Sequence, residues 1–149
     1  HEDCPGHNKL SRLLRYRDNN LNRKYSIFVG NGGLYVPQEL ERGADGIMTG
    51  FAFTEMLVDL HNLFFNNEKQ EAEDLFDIYL PLIRHEQQFG IGLGLRKFVL
   101  QQRGIIKSSN VRSPGPVLSE DDIREMKHLL DRLNSKLIEK GLPIPKGIN

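Results

Sequence analysis

Two short apolar runs, YSIFVG at 25–30 and DGIMTG at 45–50, each end in glycine and each lead into a helical pattern. That alternation limits the folds open to the chain more than any other feature. Aromatic and β-branched residues stopped by glycine read as short buried strands. Between the two runs, LYVPQELERG predicts a short helix stopped at Gly43. Ahead of them, NKLSRLLRYRDNN sets Leu10, Leu13 and Leu14 on one helical face. Behind them, AFTEMLVDLHNLFF carries Ala52, Met56, Leu57, Leu60, Leu63 and Phe64 along a stripe. Strands that alternate with helices over short links are joined by right-handed crossovers and lie parallel. Parallel sheets need both faces covered, which two strands do not achieve alone. Residues 1–67 therefore read as part of a larger α/β sheet.

Residues 68–149 show helical periodicity only. EAEDLFDIYLPLIRHEQQ keeps Leu75, Phe76, Tyr79, Leu80 and Ile83 in register, with Pro81 expected to kink or break it. GLGLRKFVLQQRG predicts a helix closed by Gly104. SSNVRSPGPVLS is an extended connector. Ser119 with Asp122 three residues on resembles a capping box. The helix it opens carries Ile123, Met126, Leu129, Leu130, Leu133 and Leu137, and the tail GLPIPKGIN is expected to be loose.

Composition narrows the function classes. Twenty basic residues balance twenty acidic ones, so no global field recruits nucleic acid or an anionic membrane. No apolar run approaches the roughly 20 residues of a membrane helix, and no secretory signal opens the chain. The single cysteine, Cys4, excludes an internal disulfide and predicts a cytoplasmic setting.

Several motifs invite chemistry. HEDCPGH gathers His1, Glu2, Asp3, Cys4 and His7, yet a structural zinc site wants four donors and no second cluster follows. Its plain reading is a loop whose Pro5-Gly6 turn launches a helix, with Cys4 and His7 structural. HEQQF begins like a zinc-protease helix, but Phe89 stands where the second histidine belongs. GNGG, Gly30 to Gly33, follows a strand, where backbone often approaches a ligand closely. Its spacing is not that of a dinucleotide site, leaving a substrate-contacting turn or simply a tight one. GIGLG at 90–94 reads as a helix entry where chains pack closely, and Arg96-Lys97 as a solvated or ion-paired face. Met48 sits in a strand between Gly46 and Gly50, either as core filler or in a region crowded by a ligand.

Taken in order, HEDCPG, FVGNGG, LERGADGIMTGFAF, LFDIYLPLIRHEQQFGIGLGLRKFVLQQRGII and VRSPGP resemble the C-terminal half of the dihydrodipicolinate synthase / N-acetylneuraminate lyase superfamily. Within it they are most similar to the 2-keto-3-deoxy sugar acid dehydratases, of the L-2-keto-3-deoxyarabonate dehydratase type. The resemblance implies the last strands of a (β/α)₈ barrel, 1–67, followed by the family's C-terminal helices, 68–149. A whole barrel runs to about 250 residues, so the N-terminal half of the same barrel is an implied partner. YSIFVG would be strand seven, GIMTG strand eight, and the opening residues the end of strand six. The family's imine-forming lysine would fall immediately before His1, outside this chain.

Side chains alternate along a strand, so a lysine facing the barrel mouth turns Glu2 toward it as well. The resemblance thus implies Glu2 as general acid/base for loss of a hydroxyl as water. An exposed or ion-paired strand-end carboxylate is the alternative. Gly30, Asn31, Gly32 and Met48 are the implied substrate-binding residues, with Thr49 a weaker candidate. No metal and no diffusible cofactor is implied; the partners are a 2-keto acid substrate and, by family habit, three further copies in a homotetramer. Rival readings are a pyruvate-dependent aldolase or 4-hydroxy-tetrahydrodipicolinate synthase, and a non-catalytic small-molecule-binding paralogue.

Overall fold

The computed structural model describes residues 6–20 and 25–148. The described chain forms two compact units, one holding residues up to Gly50 with Thr54–Phe76, the other Phe51–Phe53 with the chain from Asp77 onward.

In the first unit, helix α1 (Gly6–Asn20) precedes strand β1 (Phe28–Val29). A three-residue 3₁₀ turn (Asn31–Gly33), helix α2 (Val36–Glu41), strand β2 (Gly46–Ile47) and helix α3 (Thr54–Phe65) follow. The strands pair in parallel, Phe28 with Gly46 and Val29 with Ile47. Flanking bonds, Asp45 N–H to Ile27 C=O at 2.9 Å and Met48 N–H to Val29 C=O at 2.8 Å, extend the ladder by one step each way. Both strands are shorter than the six-residue apolar runs that predicted them. A strand extends only where a neighbour supplies backbone partners, and among the described residues each has one neighbour.

Leu10 and Leu14 of α1, Val29 of β1, Val36 and Leu40 of α2, and Met56, Leu57 and Leu60 of α3 are buried. Pro37 in the first turn of α2 suits a position whose N–H has no helical partner, and Gly43, at φ 105°, supplies the stop. Arg17, only 8% exposed, donates to the Asp18 and Asp45 carboxylates and to the Tyr25 carbonyl. Asp45 also accepts from the Ile27 N–H at 2.7 Å. The Asp18 and Asp45 carboxylates, working against burial, hold Arg17 above the usual arginine range, so it stays charged. This ties the end of α1 to the entries of both strands.

Helix α4 (Lys69–Glu86) begins in the first unit and continues into the second. It runs through Pro81 without the break the sequence allows for; Pro81 is exposed, so the carbonyl it strands can turn to water. Helices α5 (Gly92–Gln102) and α6 (Glu120–Lys140) complete the chain. The Ser119–Asp122 capping box is present, with Ser119 Oγ accepting from the Asp122 N–H at 3.1 Å and Asp122 Oδ2 accepting from the Ser119 N–H at 2.7 Å. Ser119 Oγ also donates to Asp122 Oδ2 at 2.7 Å, and the hydroxyl together with the Ser119 N–H holds the Asp122 carboxyl below the usual range. Met126, Leu130, Leu133 and Leu137 form the buried stripe of α6. The GIGLG entry is a close-packing point: a Cβ on Gly94 would lie 3.0 Å from Leu118 Cδ2.

The tail, expected to be loose, is docked. Arg103 Nε donates to the Lys146 carbonyl at 3.1 Å, and Ile148 is 7% exposed. Gly147 has φ 81°, and a Cβ there would overlap the Arg103 backbone. Gly147→Ala therefore releases the tail, with an expected loss of about 1–3 kcal/mol, the range for forcing atoms into a packed site. Faster amide exchange over 142–148, with α6 unchanged, is the expected readout. Exchange equal to that of the parent protein would show that the tail needs no such fit.

Candidate functional site

Parallel strands carry their ligands at their carboxyl ends. The segments leaving β1 and β2 therefore lie on one edge of the sheet, tied by the Met48 N–H to Val29 C=O bond. After β1 the chain turns through Asn31, Gly32 and Gly33 at φ 48°, 66° and 82°. Three successive left-handed residues leave little choice but glycine and asparagine. The turn closes by the Gly33 N–H to Gly30 C=O bond at 2.9 Å. Gly30, Gly32 and Gly33 are buried and Asn31 is exposed, so the asparagine amide is the side-chain polar group that GNGG offers to solvent.

A Cβ on Gly33 would stand 3.4 Å from Leu57 Cδ2 and 3.6 Å from Thr49 Cγ2. The glycine turn is thus packed directly on the residue after Met48. Met48 itself is 57% exposed; it is no core filler among the described residues, and its thioether is free to meet an apolar group. The structure thus brings Gly30, Asn31, Gly32 and Met48 to one sheet edge. Glu2, the acid/base candidate, lies outside the described residues, as do His1 and Cys4.

On the same unit a cleft of about 350 Å³ is lined by Phe28, Gly46, Ile47, Thr49, Leu57 and His61, among others. Thr49 therefore stands between this cleft and the glycine turn. Gly46 is required here because a Cβ would come within 2.9 Å of the Phe28 ring. No group of three metal-binding side chains occurs among the described residues, and among them no helix is long and apolar enough to cross a membrane.

The second unit holds charges that sequence reading missed. Glu86 is 3% and Arg103 4% exposed. Glu86 accepts from the Ala52 N–H at 3.2 Å and from Arg96 Nε. Arg103 Nη1 donates to the Ala52 carbonyl, and its guanidinium sits 4.3 Å from the Phe53 ring centroid. Both backbone polar groups of Ala52, four residues along the chain from Met48, are thus held by charged side chains. Burial raises the Glu86 carboxyl above its ordinary value, with the Arg96 guanidinium and the Ala52 N–H opposing it. The signal in the sequence is the glutamate of HEQQF with an arginine ten residues on.

No family model matches the chain. Over 127 residues, 85% of this chain and 40% of the relative, it is 27% identical to the L-2-keto-3-deoxyarabonate dehydratase of Azospirillum brasilense. The crystal structure of dihydrodipicolinate synthase from Rhodopseudomonas palustris superposes with a TM-score of 0.83 and 46% identity. That match covers 89% of this chain and 44% of the synthase. The chain thus spans less than half the length of each of these two proteins.

Proposed function

We propose that the chain carries the C-terminal (β/α)₈-barrel portion of a protein of the dihydrodipicolinate synthase superfamily, a reading its likeness to the dehydratase and the synthase supports, and that it serves a Schiff-base lyase dehydrating a 2-keto-3-deoxy sugar acid. The supporting observation is the pairing of GNGG with the Met48–Thr49 strand end on one sheet edge. An edge of that kind offers backbone, one amide and one thioether to a small polar acid.

In this reading a lysine immediately before His1 attacks the C2 ketone, and the carbinolamine loses water to give an imine. The imine acidifies C3, whose proton is removed to leave an enamine. The enamine expels the C4 hydroxyl as water, with the departing oxygen taking a proton from Glu2. A C3=C4 double bond conjugated to the imine remains, and hydrolysis returns the lysine. Covalent attachment splits one hard elimination into easier steps. Asn31 bonds a substrate hydroxyl, Gly30 and Gly32 let the backbone approach, and Met48 lies against the apolar part of the keto acid. The rest of a barrel is the partner this scheme needs, within a homotetramer.

The 46% identity to a synthase favours a second reading, carbon–carbon bond formation on the same imine. Product analysis separates the two. A dehydratase gives one product with every carbon retained and one water lost; an aldolase or synthase interconverts pyruvate plus an aldehyde with the longer acid. Release of pyruvate from a 2-keto-3-deoxy sugar acid would overturn dehydration.

A further inference from the structure

Helix α1 leads into β1, so its first turn comes back to the carboxyl end of that strand, beside the residues that follow the glycine turn. There the His7 ring meets Tyr35 edge-on, with centroids 5.2 Å apart and planes at 80°. Arg42 Nη1 fixes the same turn, donating to the His7 carbonyl at 3.0 Å and to Ser11 Oγ at 2.8 Å. Tyr35 caps α2 directly after GNGGL and is 43% exposed, while Val36 and Pro37 behind it are buried.

The two rings differ in what they can offer a ligand. His7 Nε2 is sealed from solvent and has no hydrogen-bond partner among the described residues, so the imidazole acts on its neighbour by packing. The Tyr35 phenol makes no hydrogen bond among the described residues, and its side chain is accessible. A phenol both donates and accepts, which suits a sugar hydroxyl. In a 2-keto-3-deoxy acid the reacting atoms are C2 to C4, and any carbon beyond C4 carries a hydroxyl without reacting.

We propose that Tyr35 contacts the substrate hydroxyl beyond C4 and so selects for acids longer than four carbons, and that His7 is the positioning residue for its ring. This rests on the Schiff-base reading above.

The test compares a five-carbon 2-keto-3-deoxy acid with 4-hydroxy-2-oxobutyrate, which ends at C4, in the full-length protein. Tyr35→Phe keeps the ring and removes one hydroxyl. It is expected to lower kcat/KM about three- to tenfold on the five-carbon acid, mostly through KM, and less than about twofold on the four-carbon acid. His7→Ala should reproduce that selective loss and His7→Phe should restore it. Equal loss on both acids, or none on either, overturns the role of Tyr35. Pyruvate trapping by borohydride in the parent protein keeps the two claims apart. Trapping with an unchanged Tyr35→Phe profile removes Tyr35 alone; no trapping in the parent removes the Schiff-base reading and this inference with it.

Discussion

Arg96→Leu is expected to lower folding stability by about 3–5 kcal/mol, the cost of leaving one member of a buried ion pair without the other. The carboxylate left behind is enclosed: the Glu86 side chain is 2% exposed, against 26% for Arg96. Glu86 also anchors the Ala52 N–H, so the loss reaches the segment that follows β2 in the chain. The pH dependence has a definite sign. Burial raises the Glu86 carboxyl in the folded protein above its ordinary 4.5. A carboxyl raised by folding stabilises in its protonated form; that contribution is complete below 4.5 and is lost as pH rises through the folded-state value. Removing the opposing Arg96 charge pushes that value higher still. Urea unfolding should therefore find Arg96→Leu closer to the parent protein at roughly pH 5 than at roughly pH 8. The double variant Glu86→Gln with Arg96→Leu should recover most of the loss, because glutamine still accepts from Ala52 without a charge. A loss below about 1 kcal/mol, the range of an exposed pair, would mean that the pair is solvated in solution.

The largest effect on activity is expected from Glu2→Gln. If Glu2 delivers the proton to the departing C4 oxygen, its amide analogue lowers kcat by about 10²–10⁴, the usual contribution of a positioned acid. Imine formation precedes that step, so the variant should still trap pyruvate with borohydride. Normal trapping with slow dehydration places Glu2 in the elimination. A kcat within about twofold of the parent protein would leave Glu2 without a part in the elimination and require another proton donor.

What the sequence made legible was what is settled by near neighbours. Gly43 stops α2, Ser119 and Asp122 cap α6, and the leucines of α6 fall on one face because each depends on residues within a turn or two. Strand length was not legible, since YSIFVG shows an apolar run but not how many of its residues find a backbone partner. The docked tail was hidden for a related reason: the contact that holds Lys146 comes from Arg103, 43 residues away. The break allowed for at Pro81 does not occur, because its penalty falls on the exposed face of α4, where water can meet the freed carbonyl.

The candidate site was legible in the same uneven way. Three glycines after a strand announce a backbone built for close approach, and the left-handed angles at Gly32 and Gly33 fit that reading. Glu86 and Arg103 were not announced, because a buried charge looks like any other charge until its partners are placed. Tyr35 went unremarked because its partner, His7, lies 28 positions earlier in the chain. The ordered set of motifs pointed to one barrel superfamily, in keeping with the synthase structure the chain resembles.

The central claim is the imine. Borohydride reduction of the full-length protein in the presence of pyruvate, followed by peptide mass spectrometry, tests it most directly. A stable pyruvate adduct on a lysine immediately before His1 is the expected result. No adduct, with a residue other than lysine at that position, would contradict it and leave a barrel that binds its acid without reacting.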